Sequence, residues 1–371
     1  MASSSVSKTA IGAYQLSEKN PRDSVLINEI KLECRTLCKW ERETFPGSQP
    51  VSLTRKNLAT LSRIPYVACE KSDGERHLML VYKQCVYIID RMFHIYRITL
   101  SLPDLDKTTL LDGELILDTS PVAGNPANVR YLVYDAIHVR GRSVANESLL
   151  YRLKAALLEI VRPRVVRSDD IFEVFVKDFF DVCHSSTVVF PLGQRLRHEC
   201  DGLIFTPVND PYRPGTCQRL LKWKPAHMNT VDFVLDLVMG YEPSQMHAKL
   251  LVACGGVQKS QDTWLARNGE MWNWLVEHRK EVNGKVAECG WDPEAHTFVP
   301  SDKKRFVTTG TWVSGGGWIL HRIRDDRTVP NDESVVEKVK GSINDAISIE
   351  QLHVALQNVA PLIFRKRKNR S

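Results

Sequence analysis

From residue 65 to about 139 the chain is divided into short β-rich runs, YVAC, HLMLVY, VYIID, IYRI, ELIL and YLVYDAI, and this patterning constrains the fold most. Turn signals punctuate it, SDG at 72–74 and LDG at 111–113. Helical periodicity is confined to the flanks. Residues 23–39 predict a helix that Asp23 can cap, with Ile27, Ile30, Cys34 and Leu37 at helical spacing. LLYRLKAALLEIV at 149–161 predicts another. DGLIFTPV and RLLKWKP then add two strands, the second ending at Pro225. This part is α+β, built on mostly antiparallel sheet.

Beyond residue 230 a second pattern begins. VDFVLDLV, KLLVACGGV, KVAECGW and WILHRIRD read as strands, with one helix near MWNWLVEHR, which fits a small β-barrel of the OB type. The polar, Gly-rich stretch 299–317 reads as a long loop or hairpin. Asp332 precedes a helix containing Val335, Val336 and Val339. Ser348 with Gln351 makes a capping box for a last helix, which Pro361 ends. The expected division is 1–229, 230–332 and 333–371, and 371 residues allow two cores.

No apolar run is long enough to cross a bilayer, and MASSSVSKTA lacks the apolar stretch of a secretory signal, so an intracellular protein with no membrane partner is expected. The nine cysteines form no CxxC pair and have no histidines at zinc-ligand spacing, as expected of reduced thiols. A net charge of +6 permits a polyanionic partner without demanding one. The terminal run RKRKNRS reads equally as a nuclear-import or RNA-contacting tail and as a solvated terminus.

The sharpest local signal is EKSDGER at 70–76: Lys71 at a strand end, then Asp73 and Gly74 in a tight turn, then Arg76. A lysine amine must shed its proton before it attacks phosphorus. Desolvation and cations such as Arg76 favour that loss, and Asp73 is placed to hold the amine. Taken alone, the pattern is also what an ordinary hairpin turn shows.

Further motifs follow in order: YIIDR with Arg91, LLDGELILD with Asp112, Gly113 and Glu114, RYLVYDAI with Tyr134, and HECDGLIF with Glu199 and Asp201. LLKWKP brings Lys222, Trp223 and Lys224, and HRIRDDRTVPN brings Arg324, Asp326 and Arg327. Together they supply what phosphoryl transfer needs. Lys222 and Lys224 share one side of a strand and can clamp a phosphate. Glu114 and Asp201 are oxygen donors suited to Mg²⁺ or ribose hydroxyls. Tyr134 offers a flat ring to a purine. Arg324 and Arg327 can orient a pyrophosphate leaving group.

The ordered set resembles the covalent nucleotidyltransferase superfamily, which comprises mRNA capping guanylyltransferases and ATP-dependent ligases. FPGSQPVSLTRKN (45–57), LLKWKP followed by NTVDF (229–233), and RIRDDRTVPN are similar to the capping branch, over roughly residues 45–345. The resemblance implies a ligase-type, ATP-grasp-like nucleotidyltransferase domain followed by an OB domain. It implies GTP as substrate, a Mg²⁺ or Mn²⁺ cation, and a lysyl-GMP adduct on Lys71. Arg76, Arg91 and Glu114 would contact ribose and nucleotide, Tyr134 the guanine face, and Lys222 and Lys224 the α-phosphate and purine. Asp201 and Asp232 would help organise the metal, and Arg324, Asp326 and Arg327 would act when the OB domain closes. The family usually has Phe at Tyr134 and Lys at Arg327, and the latter pair is not interchangeable at a tight phosphate contact.

The activity so implied caps the 5′-diphosphate end of RNA in the nucleus, or in a viral factory for a viral gene. The implied partners are an RNA triphosphatase, a methyltransferase and the phosphorylated tail of RNA polymerase II. No HCx₅R loop or methyl-donor glycine motif is present, and the similarity starts within the first fifty residues, so those activities are expected on other chains. The rival expectations are an ATP-dependent RNA or DNA ligase and an inactive RNA- or polymerase-binding subunit.

Overall fold

The computed structural model describes residues 12–118, 129–184, 196–225, 228–238, 246–267, 269–301, 310–345, 347–357 and 359. Pro361, the basic run 365–370 and residues 302–309 of the Gly-rich stretch lie outside them. Among the described residues, contacts gather those up to 223 with those from 349 into one compact unit and those from 224 to 348 into another.

In the first unit, helix α1 spans Pro21–Cys38. Its cap is Asn20, whose side chain accepts from the Arg22 amide at 3.0 Å, and not Asp23 as the sequence suggested. Pro21 has no N–H to satisfy and a φ already helical, so the helix starts earlier. Asp23 instead accepts from the Tyr14 hydroxyl and the Ser17 amide.

The strands are β1 (Ser48–Ser52), β2 (Tyr66–Ser72), β3 (Glu75–Tyr82), β4 (Cys85–Ile89), β5 (Ile95–Ile98), β6 (Thr109–Leu117), β7 (Val129–Val139), β8 (Glu173–Val176), β9 (Cys200–Pro207) and β10 (Gly215–Trp223). They form two sheets. One runs β5-β4-β3-β6-β7-β8, antiparallel except for the last pair. The other runs β2-β9-β10-β1, with β10 and β1 parallel.

Both faces of the first sheet are covered, which explains the unbroken apolar run HLMLVY. Leu78 and Leu80 pack toward Ile27, Ile30 and Cys34 of α1. Met79 and Val81 face the other way, toward Ala155, Ala156 and Ile160. Those residues belong to α2 (Leu149–Ala156) and the π-helical turn Leu157–Val161 that continues it.

LDG is not a turn. Asp112 and Gly113 sit inside β6. A Cβ on Gly113 would come within 2.5 Å of the Tyr131 ring and 2.6 Å of the Leu132 carbonyl, so the glycine serves a close strand approach.

The second unit contains β11 (Thr230–Val238), β12 (His247–Cys254), β13 (Val257–Trp264), helix α3 (Gly269–Glu277), β14 (Val286–Asp292), β15 (Thr297–Pro300), β16 (Gly310–Val313) and β17 (Gly317–Ile323). KLLVACGGV, read as one strand, is the end of β12, a turn and the start of β13. Gly255 and Gly256 both have positive φ (59° and 82°), as a two-residue hairpin turn requires. The sheet order is β13-β12-β11-β14-β17. A parallel bridge from Leu265 to Trp318, with the Ala266 amide donating to the Trp318 carbonyl at 2.7 Å, joins the outer strands. This is the closed Greek-key order of an OB barrel, with α3 inserted after the third strand. The stretch 299–317 contributes the β15–β16 hairpin.

Phe233, Leu250, Leu275 and Trp318 fill the barrel, and Val336 of α4 (Glu333–Asn344) joins them. Asp332 caps α4 through the Ser334 amide. The last helix, α5 (Ile349–Leu356), begins after Ser348 and groups with the first unit.

Candidate active site

The KSDGER turn does not join paired strands. β2 ends at Ser72 in one sheet and β3 begins at Glu75 in the other, so the motif is the corner where the chain passes between them. Gly74 makes the corner possible, because a Cβ there would lie 2.4 Å from the Leu115 carbonyl oxygen. A cavity of about 110 Å³ is lined from both sheets, by Lys71, Ile204 and Leu220 of one and Arg76, Glu114 and Tyr134 of the other.

Lys71 Nζ donates to Asp201 Oδ1 at 2.8 Å, and 23% of its side chain is exposed. Asp73, expected to hold the amine, is exposed, and its own amide donates to the Glu199 carbonyl. Asp201 sits on the adjacent strand β9, which is why it reaches the amine.

Arg76, Asp112 and Glu114 share a sheet face, since β3 and β6 pair with Arg76 opposite Glu114. Arg76 grips Asp112 with two hydrogen bonds (Nε–Oδ1 2.9 Å, Nη2–Oδ2 2.5 Å) and donates to the Ser48 carbonyl. The Tyr212 hydroxyl also donates to Asp112, at 2.7 Å. Asp112 is fully buried and its carboxylate is occupied, so it positions Arg76. Burial pushes the Glu114 carboxyl up, while Lys177, Lys71, Arg76 and Arg91 pull it back without cancelling the shift.

A bulge places the aromatic candidate. Asp112 pairs with Asp135 and Gly113 with Val133, which leaves Tyr134 as an extra residue on β7. Strand alternation alone would send Tyr134 and Asp135 to opposite faces; the bulge lets both line the cavity. The Arg76 guanidinium lies 5.7 Å from the Tyr134 ring. Arg91, exposed just after β4, also lines the cavity.

Sequence reasoning missed a buried cation. Lys177, just after β8, donates to Ser72 Oγ at 2.6 Å and lies 3.1 Å from Glu70 Oε1. His198 Nε2 is 3.4 Å from the same Glu70 oxygen and 3.2 Å from Ser72 Oγ. Burial pushes the Glu70 carboxyl up, but its bonds to His198 and Lys177 bring it below the usual range. Burial works against the Lys177 charge, and Cys69, Glu70 and Glu114 more than restore it. The only hint in the sequence was a lysine inside the apolar run FEVFVKDFF.

Lys222 lies two residues beyond Leu220 and shares its face of β10. Trp223 falls on the opposite face, buried with Leu221, so alternation separates it from the lining. Lys224 follows the strand end and is half-buried.

The remaining candidates lie in the second unit. Arg327 Nη1 donates to Asp232 Oδ2 at 2.6 Å, and Arg324 Nη1 reaches both Asp232 oxygens at 3.3 Å. Arg324 also grips Asp326 with two bonds (2.8 and 2.7 Å), holding that carboxyl below its usual range. Asn331 fixes Asp232 by exchanging backbone and side-chain bonds with it. Asp232 is thus an arginine partner in this structure.

Among the described residues no three His, Cys, Asp or Glu side chains cluster as a metal cage. Asp201, which pairs with the Lys71 amine, and Glu114 on the cavity wall are two oxygen donors of the kind Mg²⁺ takes alongside phosphate and water. All nine cysteines are free thiols.

Residues 14–226 match the family model "mRNA capping enzyme, catalytic domain", and residues 228–353 match "mRNA capping enzyme, C-terminal domain". The chain is 32% identical over 359 residues to the mRNA-capping enzyme of Danio rerio, covering 92% of this chain and 54% of that protein. It is 31% identical over 380 residues to the mRNA-capping enzyme subunit alpha of Schizosaccharomyces pombe, covering 94% and 88%. The chain therefore spans about half the length of the fish protein and most of the yeast one. A solved structure of mycobacterial DNA ligase D complexed with ATP and MES aligns with 76% of this chain and 95% of its own, at 15% identity and a TM-score of 0.40.

Proposed function

The chain belongs to the mRNA capping enzyme family, and from that premise we propose that it is a GTP:mRNA guanylyltransferase acting through Lys71. The Lys71 amine gives up a proton, for which Asp201 at 2.8 Å is the nearest acceptor, and attacks the α-phosphorus of GTP. A P–N bond forms, the bond to the β-phosphate bridging oxygen breaks, and pyrophosphate leaves. A terminal oxygen of diphosphate-ended RNA then attacks the same phosphorus. The P–N bond breaks, Lys71 regains its proton, and the GpppN cap is complete.

What carries this reading is the corner: an amine paired with one carboxylate, at the mouth of a cavity built from two sheets. Tyr134 offers a face to the base. Lys177 is an ammonium and can only donate, which matches the O6 carbonyl of guanine and opposes the amino group of adenine. Lys222 and Lys224 are assigned to the α-phosphate, and Arg324, Asp326 and Arg327 to the β- and γ-phosphates. Glu114 and Asp201 would hold Mg²⁺ or Mn²⁺, a cation that offsets phosphate charge as pyrophosphate departs.

The proposed division keeps 1–229 for nucleotide chemistry, 230–332 for the OB domain and 333–371 for the terminal helices and tail. The proposed partners are diphosphate-ended RNA, an RNA triphosphatase and the phosphorylated tail of RNA polymerase II, in the nucleus. Incubation with magnesium and α-labelled GTP should yield an acid-labile, alkali-stable labelled protein band. A band with ATP alone would make the chain a ligase, and no band with either would make it a scaffold.

A further inference from the structure

The β15–β16 hairpin carries an aromatic face for which the chemistry at Lys71 has no use. Phe298 stands opposite Trp312 in the hairpin register, and Gly310 makes room for the Phe298 ring, which a Cβ would approach to 2.4 Å. The Arg267 guanidinium lies 5.3 Å from the Phe298 ring and 5.5 Å from each of the Trp312 and Trp272 rings. His247 stacks on Phe298 at 4.4 Å, and Phe298 meets Trp312 edge-on at 5.5 Å. Trp264 meets His247 at 6.1 Å, and Lys249 lies 5.8 Å from that indole. The result is one aromatic row, buried at Trp264 and His247 and open to water at Trp312, with Arg267 among its outer rings and Lys249 at its inner end.

Anchoring the hairpin needs only the inner part of this row. Trp312 is nevertheless 54% exposed, an indole left in water beside a guanidinium. Solvent-facing aromatic rings with nearby positive charge are what single-stranded nucleic acid binds, through base stacking and attraction for the backbone. Stacking tolerates any base, as an acceptor of varied transcripts requires. A protein partner is less well matched, because the guanidinium attracts a polyanion and Trp312 offers an open ring in place of a pocket.

We propose that this face of the OB unit binds the unpaired 5′ region of the acceptor RNA, with Trp312 stacking on a base. The inference rests on the guanylyltransferase reading and extends it to the second substrate.

The test uses Trp312→Leu, which keeps apolar bulk but no flat ring, beside Trp312→Phe, which keeps the ring. Binding of a 5′-hydroxyl single-stranded RNA, which cannot accept GMP, is measured together with lysyl-GMP formation. The expected result is RNA binding weakened roughly 5- to 150-fold in the Leu variant and largely kept in the Phe variant, with normal adduct formation in both. Transfer to diphosphate-ended RNA should then show a raised KM in the Leu variant. Unchanged RNA affinity in Trp312→Leu overturns the proposal and leaves the face as a hairpin anchor or a protein-docking surface. Equal loss in the Leu and Phe variants overturns the stacking role. Failure of the wild type to form the adduct, with the RNA result as expected, would sink the guanylyltransferase reading and leave the RNA face standing.

Discussion

Lys71 is held at the end of β2 by strand pairing and by Asp201, and its side chain belongs to the cavity wall and to none of the hydrophobic core clusters among the described residues. Lys71→Ala should therefore melt like the wild type and form no labelled adduct. Lys71→Arg should be equally inactive, because a guanidinium does not lose its proton in proteins. Residual GMP labelling of either variant would show that the nucleophile lies elsewhere. Glu114 makes a different prediction. Its carboxyl is raised by burial, so its contribution to stability is fully present below its ordinary value of about 4.5 and is lost as pH rises through the raised value. Glu114→Gln removes that titration. Measured by denaturant unfolding, the variant should gain on the wild type as pH rises above about 4.5. Stability curves that stay parallel would mean that the charge on Glu114 is fully compensated.

β6 and β7 show how an element can place chemistry that its residues do not spell out. The close approach at Gly113 and the bulge at Tyr134 occur at the same point of the ladder, where Asp112 pairs with Asp135 and Gly113 with Val133. Gly113→Ala should push a methyl group into the Tyr131 ring and the Leu132 carbonyl. The expected cost is about 1–3 kcal/mol in chemical denaturation, together with weaker GTP binding as Tyr134 is displaced. Unchanged stability would mean that the strands separate without penalty. The sequence shows strands at ELIL and YLVYDAI, but neither the part of β6 at Asp112 and Gly113, nor the bulge, nor the reason for the glycine is legible in it. A bulge is a mismatch between two strands, and neither strand records it alone.

Across the whole molecule, the two units divide the motifs between them, with Lys71, Glu114 and Tyr134 in one and Arg324, Asp326 and Arg327 in the other. If Arg327 serves the β- and γ-phosphates, it assists adduct formation and has no part once pyrophosphate has left. Arg327→Ala should slow GMP loading and leave transfer from preformed lysyl-GMP to diphosphate-ended RNA at the wild-type rate. Equal slowing of both steps would point to general damage. Arg327→Lys should keep partial loading, because a lysine can still reach Asp232 or a phosphate as a point charge but cannot reproduce the guanidinium fork.

By itself the sequence determined the first helix, the run of strands between 66 and 139, the barrel class beyond 230 and the lysine turn, because periodicity, turn chemistry and capping act over a few residues. The expected helix before 39 and the barrel beyond 230 needed nothing more. It misplaced the cap at Asp23 and the turn at LDG, where Pro21 and a crossing tyrosine ring outweighed local preference. Only the tertiary structure decided which acid holds Lys71, 130 residues away, and which buried cation lines the cavity, 105 residues from Ser72. The first pairing depends on β2 and β9 lying side by side in one sheet, the second on two sheets meeting at one corner. Which side chains meet across that corner is fixed by strand order and register, which no local pattern encodes.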